Sequence, residues 1–362
     1  QSDTEVLINV FASAIERNLD KKLDNECIVK AVREVHNRVV GAYSVIAIIM
    51  GYGMVAFRDP NGIRPLVLGT KDNSNYMIAS ESVSLECLGY KVDRDINPGE
   101  TVIIKNGGEI HNYEFDGKTK KTPCIFEYVY LARPDSTIEK INVYESRLSM
   151  GRYLARKIKA TLSQKELDEI DVVIPIPDTS KTSTVPLSLE LGKELKEGFV
   201  KNRYIGRTFI MPGQKIRKKS VRQKLNTIDI EFKGKNVLLI DDSIVRGNTS
   251  KQIVQMARNS GAKKVYFASA APPIKYPNVY GIDMPFVEEL VAHDRSIDEI
   301  CEEIGADKLI YQDLDDLISA VKEGNPKIEN FDTSCFSGEY VTKGVDNQFL
   351  ENLSSTRIKA DL

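Results

Sequence analysis

A single stretch, NVLLIDDSIVRGNTS at positions 236–250, constrains the fold of this chain more than any other feature. Its residues 237–240 are continuously apolar, which is typical of a strand buried on both faces of a parallel sheet. Asp241 and Asp242 follow at the carboxyl end of that strand, where open α/β sheets bind their ligands. A loop with Gly247 comes next, and a helix is predicted from about Thr249 to Ser260. This order of elements predicts an α/β fold with a binding site at the strand end.

The loop and helix start that follow the acidic pair form a candidate phosphate site. Backbone N–H groups at a helix N-terminus are free to hold an anion. The residues of this candidate site are Ser243, Val245, Arg246, Gly247, Asn248, Thr249 and Ser250. The two carboxylates would repel a phosphate and instead suit sugar hydroxyls or a divalent metal, so the whole pattern predicts a phosphorylated ribose. A solvated strand end followed by an ordinary helix cap is the alternative, and it explains a lone acidic pair better than it explains the complete pattern.

A second polar loop follows the strand predicted from Asp171 to Ile176. Loops of this type expose N–H and hydroxyl groups that can hold pyrophosphate oxygens. The candidate residues are Asp178, Thr179, Ser180, Lys181 and Thr182. Taken alone, an ordinary polar helix start is the favoured interpretation, because a helical segment is predicted near Pro186 to Glu197.

Basic residues are concentrated between Lys201 and Lys224. They stand out because the chain has a net charge of −2, with 50 Lys and Arg residues against 52 Asp and Glu residues. We predict a mobile basic lid that closes over a polyanionic substrate, excludes water and neutralises phosphates. A solvated charged face is the usual explanation of such a run. RNA binding through the same run is conceivable, although the net charge gives it no support.

The first 122 residues have a different pattern and predict an α+β domain with antiparallel sheet. Ser2-Asp3-Thr4-Glu5 fits a helix capping box, and a second helix is predicted from Glu26 to Arg38. Two apolar runs around the turn 51–53 predict a hairpin. The further strands predicted in this part are 76–79 and 101–105.

A Lys- and Thr-rich linker is predicted at 116–123. Beyond it, strands alternate with helices, which is typical of a parallel α/β sheet, and a strand is predicted at 265–270. After about Gly324 the chain is polar, so we expect a partly helical or loosely ordered tail. The expected domains are 1–122, 123–330 and a tail at 331–362.

Several protein classes are disfavoured by the composition. The longest apolar run, Val45 to Met50, is far shorter than the roughly 20 residues that span a bilayer, and no signal peptide is visible. The five cysteines are scattered and lie far from the three histidines, so we expect neither a disulfide framework nor a zinc site. These observations favour a cytoplasmic protein that binds small molecules, without a membrane or nucleic-acid partner.

With these residues in view, the chain resembles the amidophosphoribosyltransferase family over nearly its whole length. The similar runs are EYVYLARPDS at 127–136, GFVKNRYIGRTFI at 198–210, VLLIDDSIVRG at 237–247, KVYFASAAPP at 264–273 and YGIDMP at 280–285. The resemblance implies a type I phosphoribosyltransferase domain, a parallel sheet with flanking helices. It also implies a preceding α+β domain of the N-terminal-nucleophile glutaminase type. The implied reaction joins glutamine-derived ammonia to phosphoribosyl pyrophosphate (PRPP), giving 5-phosphoribosylamine, pyrophosphate and glutamate at the first committed step of purine synthesis.

The resemblance also implies roles for individual residues. Asp241 and Asp242 meet the ribose hydroxyls and Mg²⁺, and Ser180 belongs to the Mg²⁺ sphere. Residues 243–250 hold the 5-phosphate and 178–182 the pyrophosphate, although Asn248 replaces a Thr of the family motif. The flexible loop that closes the site and helps form the ammonia channel includes Lys201, Tyr204 and Arg207.

The N-terminal part resembles only the rear of the glutaminase domain, so we expect an N-terminally truncated chain. The family's catalytic cysteine falls upstream of Gln1, which leaves no catalytic residue for glutaminase activity and allows ammonia-dependent activity at most. Asp3 matches the acid that binds the amino group of glutamine. Some family members carry an iron–sulfur cluster, but Asn278 replaces one ligand and only Cys124 and Cys335 match others, so we expect no cluster.

The resemblance further implies a homo-oligomer and feedback inhibition by purine nucleotides. Three alternatives stay open from the sequence. They are another PRPP enzyme such as a nucleobase phosphoribosyltransferase, a non-catalytic regulatory protein that keeps the fold as a sensor, and an RNA-binding protein.

Overall fold

The computed structural model describes residues 2–72, 74–202, 225–284 and 286–360, with side chains described up to residue 353. Within this part of the chain, no helix is long and apolar enough to cross a membrane.

The N-terminal part combines two long helices and one short helix with antiparallel sheets. Its helices are α1 (Asp3–Asn18), α2 (Asn25–Arg38) and α3 (Ser82–Glu86). Its strands are β1 (Ser44–Ile49), β2 (Gly53–Arg58), β3 (Val67–Asp72), β4 (Asn75–Ala79), β5 (Lys91–Asp95), β6 (Thr101–Lys105) and β7 (Ile110–Tyr113). One sheet has the order β1-β2-β6-β7 and the other β4-β3-β5. The predicted α+β character, both helices and the hairpin of β1 and β2 are therefore confirmed.

Side-chain caps start both long helices of this part. The Ser2 side chain accepts a hydrogen bond from the Glu5 N–H, and Asp24 does the same for the Cys27 N–H at 2.8 Å. These bonds satisfy N–H groups that a helix start leaves unpaired. Buried residues of α1 and α2 then pack on β2 and β6 in a shared apolar core that includes Phe11, Val32 and Phe57.

His36 of α2 lies in this core and makes stability depend on pH. Its Nδ1 lies 2.9 Å from the Tyr43 hydroxyl and its Nε2 lies 3.1 Å from the Gly99 carbonyl oxygen. Burial lowers the pKa of His36 from about 6.5 to about 4. The unfolded chain therefore binds a proton at this site before the folded chain does, and stability falls as the pH drops from 6.5 to 4.

We expect this loss to reach about 3 kcal/mol at pH 4, since each pKa unit corresponds to roughly 1.4 kcal/mol. Urea unfolding of the natural chain and of His36→Asn should be compared at pH 7 and pH 4, because only the natural chain contains the titrating imidazole. Asp59 also titrates in this part of the chain, because burial raises its pKa, and its effect on stability as the pH falls has the opposite sign. The difference in pH dependence between the natural chain and His36→Asn therefore reports His36 alone. His111→Asn, at a half-exposed position, is the matched control. Equal pH dependence in all three proteins would contradict the assignment.

The second part is built on a parallel sheet. Its larger strands are β10 (Val172–Pro175), β14 (Asn236–Asp241), β15 (Lys264–Ser269) and β16 (Lys308–Tyr311). Shorter strands are β8 (Thr137–Ile138), β9 (Ile141–Asn142), β11 (Glu194–Leu195), β12 (Phe199–Lys201) and β13 (Leu225–Thr227). The sheet has the order β11-β10-β14-β15-β16, and each of its pairs is parallel. This confirms the predicted parallel α/β fold.

Helices cover both faces of the parallel sheet. The helices of this part, not all of which contact the sheet, are α4 (Val143–Thr161), α5 (Gln164–Glu169), α6 (Lys181–Leu191), α7 (Asn248–Asn259), α8 (Ile297–Ile304), α9 (Leu314–Lys322), α10 (Ser334–Ser337) and α11 (Asn347–Ala360). Val237 and Leu239 of β14 pack with α7 and α8, whereas Leu238 and Ile240 pack with α4 and α6. Alternate residues of β14 therefore face opposite layers of helices. The two acids at the end of β14 are consecutive residues, so they also face different surroundings.

Two sequence expectations differ from the structure. The helix predicted near Pro186 to Glu197 is instead α6, which begins at Lys181, contains Pro186 and ends at the left-handed residue Gly192. The helix begins five residues before Pro186, and it packs on α4. For the tail, α10 and α11 confirm the partly helical expectation, but the loosely ordered alternative is wrong for residues 331–336, because Phe331 and Phe336 are buried in the same core as residues 124–143. Because the residues after Gly324 are mostly polar, the sequence did not indicate that these two phenylalanines are buried.

An ion pair joins the two parts of the chain. Arg58 of β2 is fully buried, and its Nη1 lies 2.6 Å from Oε1 of Glu139 in the β8–β9 turn. Lys121 lies 2.5 Å from the other carboxylate oxygen of Glu139. Burial opposes ionisation of Glu139, but the two cations outweigh it and lower the pKa of this carboxyl. Backbone N–H groups of Thr122 and Cys124 also bond to Asn61 and Ile63, so the predicted linker is held firmly against the first part.

Candidate functional site

The acidic pair lies at the carboxyl end of β14, as the sequence predicts. Asp241 and Asp242 are each only 9% exposed. Asp241 occupies the face that packs with α7 and α8, while Asp242 contacts groups of the opposite face. Two neighbouring carboxylates are thus held in different surroundings at a strand end.

Asp242 is surrounded by donors. The Thr179 hydroxyl donates to Oδ2 of Asp242, and the Ser243 hydroxyl donates to Oδ1 at 2.9 Å. Burial raises the pKa of Asp242, and these hydrogen bonds together with the charge of Arg147 oppose that shift. The contact with Thr179 brings the predicted pyrophosphate loop directly to the acidic pair.

Asp241 has fewer partners. Within the described part of the chain, its side chain accepts one hydrogen bond, from the backbone N–H of Asp242 at 3.0 Å. Burial and the neighbouring charge of Asp242 raise the pKa of Asp241 well above its usual range. A cation or a pair of hydroxyl donors at this position would stabilise the ionised form of Asp241.

The predicted phosphate loop makes a sharp turn before α7. Gly247 is the N-cap of α7 and has φ of 70°, a left-handed conformation that favours glycine. No side-chain cap covers the first N–H groups of α7 in the described chain, which leaves this end suited to an anion. A Cβ at Gly247 would also lie 2.8 Å from Val291 Cγ2, so a larger residue would displace the loop.

Arg246 is directed to neighbouring carboxylates. Its Nε lies 2.5 Å from Glu289 and its Nη2 lies 4.0 Å from Asp283. The carbonyl of the adjacent Val245 accepts a hydrogen bond from the Val291 N–H at 2.9 Å. These contacts fasten the 243–250 loop to the segment 283–291.

In the predicted pyrophosphate loop, Ser180 and Thr179 make different contacts, and the expected Mg²⁺ role of Ser180 stays a prediction. Ser180 is fully buried and its hydroxyl donates to the Ile176 carbonyl, so it stabilises the loop internally. Thr179 is the hydroxyl that reaches the acidic pair. At the outer side of the loop, Lys201 lies 2.8 Å from Asp178, and Lys181 lies 2.6 Å from Glu197. The site thus has a basic rim at Lys201 and Lys181, whose present partners are exposed carboxylates.

Arg147 of α4 is a site residue that the sequence analysis missed. Its Nε and Nη2 each donate at 2.8 Å, to the carbonyls of Tyr128 and Ala132. Burial lowers the pKa of Arg147, and the charge of Asp242 opposes that shift. A Cβ at Gly151 would overlap the Ser183 carbonyl, so glycine allows α4 to lie close to α6. The run EYVYLARPDS was recognised, but nothing in it signalled that its carbonyls orient an arginine behind the acids.

One predicted residue lies apart from this site, and two others cannot be placed. Asp3 is exposed in the first turn of α1, away from the parallel sheet. Tyr204 and Arg207 lie outside the described residues, so their assignment to a closing loop stays a prediction.

Comparison with known proteins gives consistent relatives. The chain is 56% identical over 359 residues to an amidophosphoribosyltransferase of Pseudomonas aeruginosa, covering 98% of this chain and 71% of that protein. An Escherichia coli K12 amidophosphoribosyltransferase is 54% identical over 360 residues, with the same two coverages. The amidophosphoribosyltransferase of Saccharomyces cerevisiae is 47% identical over 363 residues, covering 98% and 70%.

Solved structures are similar over the same range. The Bacillus subtilis glutamine PRPP amidotransferase complexed with ADP and GMP has a TM-score of 0.80 and 35% identity, covering 95% of this chain and 71% of that one. A structure described as the allosteric regulatory enzyme of purine biosynthesis has a TM-score of 0.81 and 35% identity, covering 98% and 72%. No family model matches the chain.

Proposed function

Because the chain belongs to the amidophosphoribosyltransferase family, we propose that it catalyses the transfer of ammonia to PRPP at the acidic pair of β14. The observation that carries this proposal is the meeting of three elements at one sheet edge. These are the buried acids, the Gly247 turn before α7 and the Thr179 loop. They offer sites for hydroxyls, a monophosphate and a pyrophosphate, which are the three groups of PRPP.

In this reaction the ammonia lone pair forms a bond to C1 of the ribose, and the bond from C1 to the pyrophosphate oxygen breaks with its electron pair. The excess proton of the new amine passes to solvent or to the departing pyrophosphate. Positive charge develops on the sugar while negative charge grows on the leaving group. Groups fixed in advance around these charges lower the barrier most effectively.

The residues of the site suit these demands. Asp241 and Asp242 accept from the ribose hydroxyls, and the N-terminus of α7 holds the 5-phosphate. The loop 178–182 holds the pyrophosphate, with Lys201 and Lys181 free to exchange their exposed carboxylate partners for phosphate oxygens. Arg147 limits the repulsion between the acids by its charge behind Asp242.

The acidic pair also fits a magnesium ion. Mg²⁺ prefers oxygen ligands and is usually held by one or two carboxylates together with substrate phosphates. Within the described residues, no group of three or more His, Cys, Asp and Glu side chains could hold the ion, so the candidate ligands are the acidic pair, with Ser180 in the wider Mg²⁺ sphere. When bound, the ion would neutralise charge on the departing pyrophosphate. Thr179 and Ser243 keep Asp242 oriented for this role.

The proposed domain roles follow the sequence boundaries. Residues 1–122 correspond to glutaminase-type structure and 123–330 to the phosphoribosyltransferase, with residues 331–336 completing its core. We also propose that the protein forms a homo-oligomer. We further propose control by purine nucleotides, which is supported by the ADP and GMP bound to the Bacillus subtilis relative.

The activity test measures pyrophosphate release from PRPP with ammonium chloride as the nitrogen donor. We expect release that depends on both PRPP and ammonia and increases with pH, because only unprotonated ammonia is a nucleophile. Adenine, guanine and hypoxanthine serve as alternative acceptors. Release that requires a nucleobase would indicate a nucleobase phosphoribosyltransferase, and PRPP binding without release would indicate a sensor.

A further inference from the structure

A tyrosine lies on the same face of the sheet as Asp241, two strands away. Asp241 on β14 pairs in register with Ser269 on β15, and Ser269 pairs with Tyr311 on β16. Residues in register on parallel strands point to the same face. Tyr311 packs in the apolar cluster on the side of α7 and α8, as Val237 and Leu239 of β14 do. Only the small Ser269 stands between the acid and the ring.

The hydroxyl of this tyrosine is buried without a partner. Tyr311 is 3% exposed, and its oxygen makes no hydrogen bond within the described residues. The intervening Ser269 does not supply one, because its own hydroxyl donates to the Ala271 carbonyl at 2.7 Å. An unpaired buried hydroxyl costs free energy, and phenylalanine would fill the same space without that cost. Packing alone therefore does not explain the hydroxyl.

Asp241, in turn, has few hydrogen-bond donors. Its carboxylate receives one backbone N–H within the described chain, whereas Asp242 receives two hydroxyls and faces Arg147. Burial raises the pKa of Tyr311, and the charge of Asp241 raises it further, which places the two groups within electrostatic reach.

We propose that Tyr311 is a positioning residue whose hydroxyl donates to the Asp241 carboxylate when Asp241 holds the ribose hydroxyls and metal of the substrate. This inference rests on the proposed function. The geometry that carries it is the in-register row Asp241–Ser269–Tyr311 together with the unpartnered hydroxyl. Among the described residues, no other side chain donates to Asp241. A hydrogen bond to Asp241 would therefore explain why the Tyr311 hydroxyl is present in an apolar layer. Arg147 and Tyr311 would then support one acid each, from opposite faces of the sheet.

The test is Tyr311→Phe, which removes one oxygen and keeps the packing. We expect the KM for PRPP to rise about tenfold with kcat nearly unchanged, because the ribose contacts are made equally in the ground state and the transition state. A tenfold effect is within the range of one hydrogen bond to a charged group. We expect the midpoint of thermal unfolding without ligand to stay equal or to increase. The additional rise of that midpoint on adding PRPP with Mg²⁺ should be smaller than in the natural chain.

Tyr266→Phe is the matched control. Tyr266 is a 3%-exposed tyrosine on β15, but it packs on the opposite face with α4 and α6. Its replacement should leave the KM for PRPP unchanged. A natural KM and a natural ligand-induced shift in Tyr311→Phe would overturn the inference while leaving the enzyme assignment intact. Absence of PRPP-dependent turnover and of PRPP binding in the unmodified chain would instead refute the proposed function.

Discussion

Replacing both acids of β14, Asp241→Asn with Asp242→Asn, is expected to lower kcat/KM for PRPP at least about 1,000-fold. The change keeps the shape of both side chains but removes the charges that we assign to the metal and to the ribose hydroxyls, and loss of a preformed electrostatic contact typically costs 100- to 1,000-fold. Pyrophosphate release with ammonium chloride as nitrogen donor measures the effect.

The same variant should fold at least as well as the natural chain. Burial raises the pKa of both acids, and each destabilises the charge of the other, so neutral amides relieve both costs. An unchanged or raised melting temperature alongside lost activity would separate chemistry from stability. Asp315→Asn, an exposed carboxylate in the first turn of α9, should keep natural activity. Natural rates in the double variant would remove the site assignment.

Glu139→Gln is expected to lower the free energy of unfolding by about 3 kcal/mol, near the lower end of the range for breaking a buried ion pair. Arg58 is fully buried and lies 2.6 Å from Glu139, so the variant leaves a buried cation without its counter-charge. The amide oxygen can still accept from Arg58, which keeps the loss from being larger. Urea unfolding at pH 7 measures it.

Glu194→Gln is the matched control for this substitution. Glu194 lies 3.2 Å from Lys196, but its side chain is 74% exposed, so we expect a change below about 0.5 kcal/mol. Arg58 also donates to the carbonyls of Gly62, Arg64 and Ile96. Equal unfolding midpoints for Glu139→Gln and the natural chain would mean that these carbonyls alone compensate its charge. A loss confined to Glu139→Gln would identify this pair as a main connection between the two parts of the chain.

Much of the site could be predicted because its signals are local. The apolar run of β14, the two acids, Gly247 and the start of α7 lie within fifteen residues, and hydrophobic period and turn chemistry act over that distance. The loop at 178–182 was located for the same reason. The start of α6 was predicted five residues too late because the polar run 178–184 carries no hydrophobic period, whereas in the structure α6 begins at Lys181 and packs on α4.

The sequence by itself therefore determined the α/β fold, the parallel strand with Asp241 and Asp242 at its carboxyl end, and the position of the two polar loops, 178–182 and 243–250, beside that end. Only the tertiary structure decided how the acids differ. The charge of Arg147 acts on Asp242 from helix α4, which packs close to α6, and Tyr311 shares a face with Asp241 because of strand register. These residues lie 95 and 70 positions from the acids that they face. Their placement results from the packing of the whole sheet, which no local pattern encodes.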